Sequence, residues 1–82
     1  MGQSEKIKET QEILDWAIIH LNLSIKCKVM GYKHENYRVQ VLKGDKLAMP
    51  IQIAEGEVKE INPKENFIPD KLKILLTNLE RY

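Results

Sequence analysis

His20, Cys27 and His34 are spaced seven residues apart in this chain. Imidazole and thiolate are ligands that zinc favours. A structural zinc site presents them in close pairs, Cys-x-x-Cys or His-x-x-x-His, and single ligands seven apart make no such set. Covalent catalysis needs a nucleophile beside a base, and no serine here stands in a Gly-x-Ser-x-Gly turn. Cys27 falls on the inward side of an alternating segment, where a thiol packs as a small hydrophobe. His20 comes late in a helical segment, where a cation suits the carbonyl end. His34 stands beside Glu35 in an expected loop, where it is solvated. Glu55, Glu57 and Glu60 lack the glycine-turned spacing of a calcium loop and read as a solvated acidic loop. The four glycines build no phosphate cradle. We therefore expect no enzyme, no catalytic residue, no metal and no cofactor.

Charge is the next chemical signal. The net charge of +1 is unevenly spread, with −2 over residues 1–23, +4 over 24–46 and −1 over 47–82. Lys26, Lys28 and Arg38 lie in the basic part. A cationic patch of this kind steers anionic partners, and it is also what a solvated sheet face looks like.

The elements that position these residues follow from periodicity. From Ser24 to Ala54, apolar and polar residues alternate three times: Ile25, Cys27, Val29; then Tyr37, Val39, Val41; then Leu47, Met49, Ile51, Ile53. Period two marks half-buried strands. A helix is expected from about Glu5 to Asn22, capped by Ser4, with Ile7, Leu14, Ala17, Ile18 and Leu21 on one stripe. A second is expected from about Pro69 onward, with Leu72, Leu75, Leu76 and Leu79 as its stripe. The fold class is α+β in the order α-β-β-β-α, a three-stranded antiparallel meander with two helices packed on one face. Eighty-two residues make one small domain, 1–82.

Parity sets the register. A two-residue Gly44-Asp45 turn on a regular ladder would put Val39 and Val41 on the opposite face from Met49 and Ile51. An odd loop, Gly44-Asp45-Lys46, or a bulge restores agreement and pairs Val41 with Met49, Val39 with Ile51 and Tyr37 with Ile53. A loop of Tyr32 to Asn36 pairs Val29 with Val39 and Cys27 with Val41. Lys26, Lys28, Met30, Arg38, Gln40, Leu42, Ala48, Pro50 and Gln52 then share the outer face. Pro50 marks the third strand as an edge. Glu55 to Phe67 is expected as a long polar connection, with a short turn begun by Asn62-Pro63-Lys64-Glu65. Val58, Ile61 and Phe67 give that connection something to bury.

The element order resembles the double-stranded RNA-binding domain. Gly31-Tyr32-Lys33-His34 is similar to that family's Gly-Pro-x-His loop, and Tyr37-Arg38-Val39-Gln40-Val41 to its second strand. The resemblance implies His34 approaching an RNA minor groove. The proline of the loop and the family's Lys-Lys-x-Ala-Lys cluster at the last helix are absent; that helix opens Pro69-Asp70-Lys71-Leu72-Lys73.

Two functions remain in view. One is a non-catalytic protein-interaction domain, including self-association as a homodimer. Its interface would be Trp16, Ile19 and Leu23, which project from the back of the first helix unless the chain itself covers Trp16. The other is a nucleic-acid-binding module using Lys26, Lys28, His34 and Arg38. A single cysteine and the lack of a signal-like start or an apolar span point to a cytoplasmic protein with no membrane partner.

Overall fold

Alternation of buried and exposed side chains governs the sheet. The computed structural model describes residues 2–44 and 46–81, the side chains of residues 2, 3 and 46–48 excepted. Its elements are α1 (Gly2–His20), β1 (Lys26–Lys33), β2 (Asn36–Lys43), β3 (Lys46–Ala54), α2 (Glu55–Glu60), a 3-10 turn (Pro63–Glu65) and α3 (Asp70–Arg81). The three strands form one antiparallel sheet in the order β1-β2-β3. Cys27, Val29, Tyr37, Val39, Val41 and Ile53 are buried in one cluster with Leu14, Ala17 and Ile18 of α1 and Leu72, Leu76 and Leu79 of α3. The helices thus cover one face. The shortest dimension, 17 Å, leaves room for these two layers only.

The register is the one parity requires. Cys27 pairs with Val41 and Val29 with Val39, while Tyr37, Val39 and Val41 pair with Ile53, Ile51 and Met49. Both hairpins use bulges, the second as one of the two ways parity allowed and the first against the expected five-residue loop. Lys43 pairs with Lys46, so only two residues separate the paired strands, and Gly44 has a positive φ of 63°. Asp45 itself lies outside the described residues. A register shift between Val41 and Lys43 restores parity. In the first hairpin, the pairing shifts between Val29 and Gly31 and continues through Tyr32↔Tyr37 to Lys33↔Asn36. Tyr32 is therefore a strand residue facing inward, not part of a five-residue loop.

Both helix boundaries of α1 move. Ser4 lies inside the first turn rather than capping it. The helix ends at His20, because Asn22 takes the left-handed conformation (φ 56°) and closes it. Leu23 N–H donates to Ile18 O and Asn22 N–H to Ile19 O, both at 3.0 Å. This is the Schellman closure, which packs the residue after the left-handed one against the helix. Leu23 is accordingly half-buried on the core.

The expected polar connection folds. Glu55–Glu60 is a helix carrying the buried Val58, and Ile61 is buried after it. Phe67 instead stays half exposed, at 50%. Asn62 begins the 3-10 turn as its sequence implied, its side-chain oxygen accepting from Lys64 N–H at 3.1 Å.

The turn between β1 and β2 holds His34 and Glu35, both with positive φ (54° and 61°). Two-residue hairpin turns of this kind prefer glycine in the second place. Glu35→Gly should therefore raise unfolding free energy by about 0.5–1 kcal/mol, measured by urea denaturation. An unchanged or lowered value contradicts a strained turn.

Candidate functional site

The outer face of the sheet is built by the register just described. Lys26 stands opposite Leu42, Lys28 opposite Gln40, which in turn faces Pro50, and Arg38 opposite Gly31 and Gln52. Lys26, Lys28, Lys33 and Arg38 are all exposed, and none pairs with a carboxylate among the described residues. The bulge turns both Met30 and Gly31 outward, and Met30 is 55% exposed. Met30, Arg38, Gln40, Pro50 and Gln52 border a shallow concavity there. The face is thus cationic at several points, with apolar and amide groups between. Three of the four residues expected to meet an anion share it. His34 stands apart, in the turn at the end of the hairpin.

No aromatic ring joins that face among the described residues. Tyr32 packs on Tyr37, with ring centroids 5.0 Å apart, on the helical side. The bulge is the cause, since it reverses the parity of every residue after Met30.

The second region is the free edge of β1. The side-chain amide of Gln11 on α1 donates to Cys27 O at 2.7 Å and accepts from Val29 N–H at 2.8 Å. These are the hydrogen bonds a neighbouring strand would make, so one glutamine imitates a peptide group at an otherwise open edge. Gln11 also donates to Asp15 at 2.9 Å. Beyond it, a groove runs between α1 and β1, lined by Ile18, Ile19, Leu23, Ile25 and Leu42, with Asp15 on its helix side and Lys26 and Lys28 on its strand side. Ile19 is 77% exposed there. Of the residues expected to form an interface, Ile19 and Leu23 meet in this groove. Trp16 does not line it; the indole is half-buried and stacks on His20, with centroids 4.8 Å apart.

The opposite edge is closed differently. Cys27 and Val29 point their main-chain groups away from β2. The alternation of an antiparallel ladder then sends the main chain of Pro50 outward from β3, where its missing N–H costs no bond.

A third cluster replaces the solvated acidic loop expected at residues 55–60. Glu55 accepts from Lys6 Nζ at 2.7 Å and from Tyr32 Oη at 2.9 Å, with Lys59 Nζ 3.9 Å away. Lys6 also sits over the Tyr32 ring, 4.4 Å from its centroid. Glu57 pairs with Lys71 at 3.0 Å. The hydrogen bonds from Lys6 and then Tyr32 hold the Glu55 carboxyl below its usual range. The same carboxylate raises Lys6 and Tyr32 above theirs. All three groups are spoken for, and the cluster joins α1, β1 and α2. Cys27 is a buried thiol pushed up to about 11 by burial and then by Asp15, which keeps it protonated and unreactive.

By sequence, Gln11 has no role and Glu55 reads only as part of a solvated acidic loop. A glutamine in mid-helix carries no pattern of its own, and the pairing of Lys6 with Glu55 spans 49 residues. The only available signal was that α1 had to lie beside an edge strand. Comparison with known proteins adds no family: no family model, curated protein or solved structure matches this chain.

The Glu55 cluster has a signed pH dependence. A carboxyl with a lowered folded pKa stabilises above its ordinary value and loses that contribution as pH falls through the folded one. Lys6 and Tyr32, both raised, contribute below their ordinary values and lose it as pH rises through the folded ones. The stability gap between the native chain and Glu55→Gln should be widest between about pH 5 and 9 and shrink toward both extremes. Urea unfolding across pH checks this. A gap independent of pH contradicts it.

Proposed function

We propose that this chain is a non-catalytic protein-interaction domain that takes an acidic protein partner on the β1 side of its sheet. The observation that carries the proposal is the set of exposed cations Lys26, Lys28 and Arg38 on one uncovered face, with no carboxylate among them. Met30, Leu42 and Pro50 put apolar area beside those charges, and Gln40 and Gln52 supply amide donors and acceptors. A mixed surface of this kind suits a protein chain. Single-stranded nucleic acid needs aromatic platforms, and both Tyr32 and Tyr37 are turned to the helical side. His34, the residue an RNA-binding mode would use, stands in the hairpin turn after Lys33 and not on the face that Lys26, Lys28 and Arg38 share.

Binding rather than catalysis fits the reactive side chains. His20 stacks on Trp16, Cys27 is buried and protonated, and His34 stands in an exposed turn. No helix among the described residues is long and apolar enough to cross a membrane. A cytoplasmic setting for the interaction is part of the proposal, since the one cysteine is kept as a thiol in the core.

Fluorescence anisotropy with labelled polyglutamate and labelled duplex RNA tests this at low salt. Polyglutamate should bind, weakening as salt rises. Reversal of two cations, Lys28→Glu with Arg38→Glu, should weaken it at least tenfold and leave the thermal midpoint nearly unchanged, because both side chains are solvated. Failure of polyglutamate to bind, or RNA binding that outcompetes it, overturns the proposal.

A further inference from the structure

Three strands are narrow for the helices they carry. Strands lie about 4.8 Å apart, so the axes of β1 and β3 are only about 10 Å apart. A pair of packed helices needs about 8–10 Å between their axes and a further radius on either side. α1 lies against β1, closer to it than to the other strands. Its Asp15 and Ile19, with Leu23 just past its end, form one wall of the groove beside that strand. The helix therefore extends past the sheet, and the space above its flank is where a fourth strand would lie. Gln11 fills a single peptide's worth of that place.

We infer that an extended segment of a protein partner, alternating apolar and acidic side chains, adds beside β1 as a fourth strand. This rests on the acidic-partner proposal above and specifies how the partner sits. Cys27 and Val29 point their main-chain groups to the edge, so partner residues opposite them form the hydrogen-bonded pairs. The side chains of those residues fall toward α1, onto Ile19, Leu23 and Ile18. Partner residues opposite Lys26 and Lys28 point to the outer face, where carboxylates meet ammonium groups. The partner displaces Gln11, whose two hydrogen bonds pass to its backbone. Strand addition draws affinity from the main chain and selectivity from alternate side chains.

Charge selects this occupant over a second copy. Two β1 strands paired antiparallel about Cys27 would set Lys26 opposite the partner's Lys28 and Lys28 opposite the partner's Lys26. Like charges directly opposite one another destabilise a strand pair. An acidic strand turns the same two contacts into attraction. The edge of β3 offers no equivalent place, because Pro50 interrupts its outward donors.

The test is a titration of the isotopically labelled full chain, followed by NMR, with a blocked seven-residue peptide alternating glutamate and valine. The amides of Cys27 and Val29 and the side-chain amide of Gln11 should shift together. Replacing glutamate by lysine in the peptide, or Lys28→Glu in the protein, should weaken binding at least tenfold. Gln11→Ala, which vacates the edge, should tighten it at least threefold. Ile19→Glu lies at an exposed position and cannot be dismissed as unfolded; it should weaken binding at least fivefold. If shifts instead gather at Arg38, Gln40 and Gln52 while Cys27, Val29 and Gln11 stay still, the strand inference falls and the acidic-partner proposal stands. If nothing shifts, both fall. If β1 amides respond to protein concentration alone, the occupant is a second copy and the inference is overturned.

Discussion

The side-chain amide of Gln11 stands where a fourth strand would begin. Its two hydrogen bonds to Cys27 O and Val29 N–H tie the middle of α1 to the rim of the sheet. Net contributions of this size are about 1 kcal/mol per bond, which is small. Their consequence is geometric. With Gln11 held at β1, the helix turns Leu14, Ala17 and Ile18 onto the core and leaves Asp15 and Ile19 beside the edge. An edge strand without such cover pairs with whatever strand it meets. The glutamine therefore limits access to β1 without closing it permanently, as a proline does at β3.

Glu55 performs the matching task at the other side of α1. The chain leaves β3 and enters α2 at this residue, whose N–H donates to Glu35 O at 2.9 Å. Its carboxylate then gathers Lys6 and Tyr32. The first hairpin turn, the start of α1 and the start of α2 are thereby fixed to one point. His34 and Glu35 keep their unfavourable backbone conformation because this point holds them. The helix is pinned by a neutral amide on one flank and an ion pair on the other, and only the neutral contact can be exchanged for a peptide backbone.

Period-two alternation made most of the sheet legible, because a buried face penalises any slip by moving every side chain across it. Val39 and its partners on both sides could be named from that alone. The bulges were not legible in the same way. They are the means by which short turns are reconciled with a fixed register, and one extra residue at Met30 decided that Tyr32 faces the helices. The six-residue α2 was hidden by composition: Glu55 to Glu60 reads as solvated until Lys6 and Lys71 are brought to it by the tertiary fold. The candidate surface was half visible. Lys26, Lys28 and Arg38 follow from parity, and Ile19 from the apolar back of α1. That Ile19 and the two lysines border one groove, and that Trp16 is engaged by His20, depends on the angle at which α1 crosses β1.

The reading proposed for this geometry is a surface for an acidic strand, guarded by one exchangeable side chain. It stands on the claim that Gln11 replaces a strand in the free protein. Amide hydrogen exchange at Val29, compared between the native chain and Gln11→Ala, tests that claim most directly. Val29 N–H has its acceptor in Gln11, whereas the main chain of Lys28 faces β2. Exchange at Val29 should accelerate at least tenfold in the variant while Lys28 keeps its protection. Equal exchange rates at Val29 in the two proteins would contradict the account.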